Sequence, residues 1–151
     1  MKSMFIFLIL VFSATSYADT GLYIFDKQVR LIGNCTFHVR DVFEQGFSCY
    51  ASQGSYSVNI KRPDKVSAHF DDVLNDLQTG ENLAENDKSS VKIEHIEGMD
   101  HYYLYLNGGG ISGHSYSICS NEACIGMTST TLDPIKKVFS QLGITLIFDR
   151  L

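Results

Sequence analysis

The chain has 151 residues, of which 44% are hydrophobic and 19% are charged, and its formal net charge at pH 7 is −5. This length fits a single domain, and the apolar content excludes an intrinsically disordered chain. The acidic balance argues against nucleic-acid binding through the phosphate backbone.

The first 18 residues have the pattern of a secretory signal peptide. Lys2 supplies a positive start, residues 5–12 are continuously apolar, and the segment ends in Ser16-Tyr17-Ala18, with small residues at the positions that precede a cleavage site. The apolar run is shorter than the roughly 20 residues of a membrane-spanning helix; the alternative interpretation is a buried core strand. We expect residues 1–18 to be cleaved, leaving one domain of residues 19–151 that is periplasmic or secreted and makes no stable membrane insertion.

Short alternating segments predict β-strands in the first half of the mature chain. In one of them Tyr56, Val58 and Ile60 share a face, while Ser57 and Asn59 lie on the other. The predicted strands are residues 22–25, 28–32, 35–39, 47–51 and 56–60.

Two segments have apolar residues at the i, i+3, i+4, i+7 spacing of an amphipathic helix. The first stripe is Phe70, Val73, Leu74 and Leu77, and the second is Ile135, Val138, Phe139 and Leu142. Ser67 is the expected N-cap of the first helix and Gly80 its end. For the second helix, Asp133 is the expected N-cap, Pro134 fits the first position and Gly143 the end.

The rest of the chain predicts further strands at residues 91–96, 101–106, 116–119, 124–128 and 144–148, with a polar loop over residues 81–90. Most connections between strands are short, which favours antiparallel pairing. We therefore expect an α+β fold, a mainly antiparallel sheet with two helices packed on one face.

The four cysteines form an even set, which in an exported protein predicts disulfides that reinforce the fold. Of the three pairings, the sequence-local Cys35–Cys49 and Cys119–Cys124 are favoured. The alternative is a metal site from His114, Cys119 and Cys124, but the closely spaced ligand pairs typical of zinc sites are missing. We expect no metal.

Catalytic motifs are not evident in the sequence. Gly110-Ile111-Ser112-Gly113-His114 approaches the Gly-x-Ser-x-Gly pattern of serine hydrolases, but His114 occupies the last glycine position. The glycines of residues 108–110 lack the Lys-Ser/Thr and the helix of a phosphate-binding loop. The sequence gives no positive argument for an enzyme and none for a cofactor.

Residues 101–116 are the candidate partner-binding surface. Alternation places Tyr103 and Tyr105 on one face of a strand, and a glycine-rich loop is predicted over residues 107–115. Tyrosine combines apolar area with a hydrogen-bonding tip and is enriched at interfaces. The alternative is that this face packs under a helix. The candidate contacts are Tyr103, Tyr105, Gly109, Gly110, Ser112, Gly113, His114 and Tyr116.

Ser112-Gly113-His114-Ser115-Tyr116 resembles the Ser-Gly-x-x-Tyr loop of bacterial periplasmic lysozyme inhibitors of the c-type class. In that family the loop enters the lysozyme cleft, so the resemblance implies that Ser112 and Tyr116 contact a partner. The match covers five residues, and the family is an all-β barrel without the two helices expected here. In size, export signal and disulfides the chain also resembles periplasmic immunity proteins that neutralise toxic effectors.

The leading hypothesis is an exported binding protein, an inhibitor or immunity protein that neutralises an envelope-acting enzyme. Removing residues 1–18 leaves 11 basic and 17 acidic side chains. The resulting net charge of −6 suits a basic protein partner, such as a cell-wall hydrolase or a toxic effector. The alternatives are an exported hydrolase with catalytic residues scattered in the sequence, and a structural or assembly subunit of the envelope.

Overall fold

The structure, a computed structural model, describes residues 20–41, 44–79, 89–108 and 111–150. The predicted signal peptide, residues 81–88 of the predicted polar loop, and Gly80, Gly109 and Gly110 lie outside the described residues. The elements in chain order are β1 (Gly21–Ile24), β2 (Lys27–Arg30), β3 (Asn34–Asp41), β4 (Glu44–Ala51), β5 (Gly54–Lys61), α1 (Pro63–Thr79), β6 (Ser90–Ile96), β7 (Met99–Gly108), β8 (Ile111–Cys119), β9 (Cys124–Ser129), α2 (Leu132–Phe139) and two 3₁₀ helices (Ser140–Leu142 and Ile147–Arg150).

Seven strands form one sheet in the order β3-β4-β5-β9-β8-β7-β6, and β1 and β2 form a separate hairpin. Every pairing among the described strands is antiparallel. After β5 the chain forms α1 and then β6, which is the edge strand at the other side of the sheet. Strands β7, β8 and β9 follow, each beside the one before, and β9 pairs with β5. The expected α+β class with a mainly antiparallel sheet is confirmed.

The main core lies on one face of this sheet, which we call the α2 face. The β1–β2 hairpin, α2 and the C-terminal segment cover it, and β5, β8 and β9 supply the apolar floor. The predicted stripe of α2 is confirmed as core, because Ile135, Val138, Phe139 and Leu142 are all buried.

The opposite face carries α1, so we call it the α1 face. Phe70 of α1 packs its ring against Tyr102 of β7, with 5.2 Å between centroids, whereas the next residue, Tyr103, belongs to the main core. Consecutive strand residues point to opposite faces. The two helices therefore lie on opposite faces of the sheet, and the expectation that they share one face was wrong. An amphipathic stripe shows that one side of a helix is buried, but it does not show on which face of the sheet the helix packs.

Both expected disulfides are confirmed. Cys35 bonds Cys49 and Cys119 bonds Cys124, and in each pair the two residues are direct cross-strand partners, on β3–β4 and on β8–β9. The first joins strands beside the main core, and the second lies in the smaller core beneath α1.

Four predictions about individual elements were wrong. Helix α2 begins at Leu132 with Thr131 as its N-cap, so Asp133 is not the N-cap and Pro134 is not the first helical residue. Helix α1 begins at Pro63 rather than after Ser67, because proline fits the first helical position, where its missing N–H costs nothing. The predicted loop over residues 107–115 is mostly strand, since β7 and β8 stay paired from Asp100 opposite Cys119 to Gly108 opposite Ile111. Residues 144–148 are not a strand, although Leu146 and Ile147 are buried; a short apolar run marks burial and not conformation.

Across the described ranges, no helix is both long enough and apolar enough to cross a membrane.

Candidate binding surface

The predicted contact residues that the structure describes all lie on the β7–β8 hairpin. Tyr103 and Tyr105 belong to β7, and Ser112, Gly113, His114 and Tyr116 belong to β8. Tyr103 pairs with Tyr116 and Tyr105 with His114. The hairpin therefore brings this set together, but it does not expose all of its members.

Two of the tyrosines belong to the core. The side chain of Tyr116 is fully buried and that of Tyr103 is 9% exposed. The ring of Tyr116 packs against those of Phe139 and Phe148. Tyr116 is therefore not accessible to a partner in this fold, and its contacts are internal.

Tyr105, His114 and Tyr103 form an aromatic cluster at the margin of the core. The Tyr103 hydroxyl lies 2.9 Å from His114 Nδ1, and the rings of Tyr105 and His114 are 4.9 Å apart. Burial lowers the pKa of His114, because the charged imidazolium loses hydration. Burial raises the pKa of Tyr103, and the neighbouring Tyr105 adds to that rise. His114 and Tyr103 are thus neutral near pH 7, and the side chains of Tyr105 and His114 are half-buried.

Ser112 and Leu106 lie beside this cluster and border an open groove on the α1 face. Ser112 is exposed, and Leu106, the cross-strand partner of Gly113, is 41% exposed. The groove has a volume of about 430 Å³ and runs across β8, β9, β5 and β4 to Tyr50. The end of the hairpin thus borders the aromatic cluster on one face and the groove on the other.

The floor of the groove is a row of hydroxyl side chains that the sequence did not predict as a site. Ser115, Thr128, Ser57 and Ser48 occupy neighbouring register positions on four adjacent strands. The hydroxyls of Ser57 and Thr128 are hydrogen-bonded to each other. The sequence does contain a signal, since these residues alternate with apolar ones along their strands. The alternation does not show that they form a row, because that depends on which strands pair.

A smaller cavity of about 120 Å³ adjoins the groove beneath α1, and Ser115 and Thr128 line both spaces. Asn59 lines the smaller cavity, together with Val66 and Phe70 of α1. Asn59 Oδ1 is buried, and no hydrogen-bond partner for it exists within the described part of the chain.

Uncharged side chains that form hydrogen bonds line most of the groove. In the described ranges, no cluster of three or more His, Cys, Asp or Glu side chains could hold a metal ion. The cysteines all form disulfides. The residues that line the groove are mainly serines, threonines and tyrosines, groups that donate and accept hydrogen bonds without carrying charge near neutral pH.

Comparison with models of known protein families, with curated proteins and with solved structures finds no match to this chain.

Proposed function

We propose that this protein is an exported binding protein, an inhibitor or immunity protein that neutralises an envelope-acting enzyme. The observation that carries the proposal is the end of the β7–β8 hairpin, where Tyr105, His114 and Ser112 form a continuous aromatic and polar surface. Interface energy usually concentrates in a few residues, among which tyrosine is prominent.

The hairpin surface is held in place before any partner arrives. Tyr103 fixes the His114 ring through the hydrogen bond to Nδ1, and the His114 ring packs against Tyr105. Both strands continue into the seven-stranded sheet. A preorganised surface loses little conformational entropy on binding, which favours affinity.

The charge of the protein supports a basic partner. Helix α1 exposes the carboxylates of Asp71, Asp72 and Asp76, and the chain without residues 1–18 has a net charge of −6. A field of one sign accelerates association with an oppositely charged protein and acts at a distance from the contact surface.

Export is supported by the two disulfides, since such bonds persist in oxidising compartments. Intact mass spectrometry of the exported protein tests this part of the proposal. We expect a chain that begins at Asp19 and is lighter by two hydrogens for each disulfide. A full-length chain with titratable thiols would contradict export.

The decisive experiment is capture of the partner with the purified protein, followed by affinity measurements on variants. Tyr105→Ala should weaken binding by about 2 kcal/mol, close to thirtyfold in Kd. Tyr23→Ala is the matched control, because Tyr23 is 74% exposed on the separate β1–β2 hairpin. Melting temperatures check that both variants fold. Equal affinity of the two variants, or turnover of envelope substrates by the pure protein, would contradict the proposal.

A further inference from the structure

The groove on the α1 face adjoins the hairpin surface of the proposed function and shares Ser112 and His114 with it, but its floor has a chemistry of its own. Its floor belongs to a row of five hydroxyl side chains, one on each of five adjacent strands, which we call the hydroxyl stripe. Its members in spatial order are Thr36, Ser48, Ser57, Thr128 and Ser115. Adjacent strands are about 4.8 Å apart, so the stripe extends over roughly 19 Å.

The stripe is accessible and uncharged. Thr36 and Thr128 are exposed, and Ser48, Ser57 and Ser115 are half-buried. Lys61, whose Nζ lies 3.4 Å from Glu44 Oε1, and Lys65 line the adjoining smaller cavity and not the groove. Each hydroxyl can donate one hydrogen bond and accept others. Such a row matches a ligand that carries many hydroxyls and no charge, and it lacks the arginines that bind phosphates and carboxylates well.

Tyr50 stands at one end of the groove with 70% of its surface exposed. A tyrosine ring offers an apolar face to pack against and a hydroxyl to hydrogen-bond with. A sugar ring has the complementary character, with an apolar C–H face and a rim of hydroxyls. Tyr50 and the stripe together therefore favour a chain of sugars.

The smaller cavity beneath α1 narrows the class of sugar. It combines the apolar side chains of Val66 and Phe70 with the side-chain amide of Asn59, and its lining also includes Lys61, Lys65 and His69. A side-chain amide both donates and accepts hydrogen bonds. An acetamido group supplies a methyl group that packs against Val66 and Phe70 and an amide that hydrogen-bonds with Asn59.

We infer that the groove binds an extended, uncharged oligosaccharide of N-acetylated sugars. The chain lies along the hydroxyl stripe with one sugar against Tyr50, and an acetamido group enters the smaller cavity. This site goes beyond the proposed function, and the purified protein alone suffices to test it.

The folded protein is titrated with the hexamer of N-acetylglucosamine, and binding is measured by calorimetry and NMR. The comparison ligand is the glucose hexamer with the same linkage, which has no acetamido groups. We expect saturable binding of the N-acetylglucosamine hexamer, and binding of the glucose hexamer weaker by about tenfold, because the contacts of the acetamido group in the smaller cavity are lost.

Variants locate the site. The double variant Ser57→Ala, Thr128→Val should weaken binding of the N-acetylglucosamine hexamer by about tenfold, and Tyr50→Ala by a similar factor. Ser90→Ala on β6 and Tyr23→Ala on β1 are the matched controls, since both residues are exposed and lie away from the groove. Melting temperatures confirm folding, and Tyr50→Ala serves as the independent variant if the double variant fails to fold.

Three results would overturn the inference: no binding of the N-acetylglucosamine hexamer, equal binding of both hexamers, or equal effects of groove and control variants. If the groove variants instead abolish capture of a protein partner and no sugar binds, the groove belongs to the protein interface. Loss of partner binding in Tyr105→Ala alone bears on the proposed function and leaves the sugar site unaffected.

Discussion

The hydroxyl oxygen of Tyr116 lies 2.7 Å from His101 Nδ1, and both side chains are fully buried. The backbone N–H of Ile147 donates to the same oxygen at 3.0 Å. One hydroxyl thus links β7, β8 and the C-terminal segment inside the main core. This linkage explains how Ile147 is buried without pairing in a strand, since the Tyr116 hydroxyl accepts the hydrogen bond that a carbonyl of a neighbouring strand would otherwise accept.

Tyr116→Phe tests this linkage. The ring would still fit, but His101 and the Ile147 N–H would lose their common partner in a buried site. We expect a loss of about 1–3 kcal/mol in the free energy of unfolding, the cost of leaving buried polar groups unsatisfied. Urea unfolding measures it. Tyr50→Phe is the control, because that hydroxyl is on an exposed residue; equal stability of the two variants would contradict the proposed role.

The two helices should differ in their contributions to stability. Phe139 of α2 is fully buried, whereas Leu74 of α1 is only half-buried. We expect Phe139→Ala to cost about 3–5 kcal/mol, the range for a large residue deleted from a packed core. Leu74→Ala should cost clearly less, because the site can refill with water. Chemical denaturation of both variants gives the comparison, and similar losses would place Leu74 in a packed interior.

The two disulfides should also contribute unequally. Cys35–Cys49 spans 14 positions and Cys119–Cys124 spans 5. In the chain-entropy model a loop of about 15 residues contributes about 3 kcal/mol, and a shorter loop contributes less. Double alanine variants of each pair, unfolded in urea, test the order. A larger loss for Cys119–Cys124 would show that packing beneath α1 outweighs loop entropy.

Local patterns predicted much of the fold. The stripe of Ile135, Val138, Phe139 and Leu142 shows which side of α2 is covered, and the export pattern together with sequence-local spacing favoured the disulfide pairing that the structure contains. The face on which α1 packs was not predictable, because it depends on which strands the chain joins after the helix. Helical periodicity carries no information about that choice.

The site was harder to predict than the fold. Tyr103 and Tyr105 alternate correctly onto one face, but that face is partly core, and alternation does not distinguish a packed face from a free one. The hydroxyl stripe forms only because β5 pairs with β9. This pairing places Ser57 beside Thr128, which is 71 residues away in the sequence. Such a juxtaposition follows from topology, which no local window of sequence contains.

The stability of the protein should depend on pH through His114. Burial holds the pKa of His114 below its ordinary value of 6.5 in the folded protein, whereas the unfolded chain binds the proton at that ordinary value. Stability from this residue is therefore fully present above pH 6.5. It falls as the pH drops from there toward the lowered folded pKa, because the unfolded state then binds more protons.

His114→Gln removes this contribution while keeping a polar side chain of similar reach. We expect the wild-type protein to lose more unfolding free energy than His114→Gln between about pH 8 and about pH 5, as measured by urea unfolding at each pH. The difference between the two pH curves is the quantity that reports His114, because every other ionisable group is common to both proteins. His69→Gln is the matched control, since it makes the same substitution at an exposed position of α1. Parallel pH curves for the wild type and His114→Gln would show that the Tyr103–His114 hydrogen bond offsets the effect of burial.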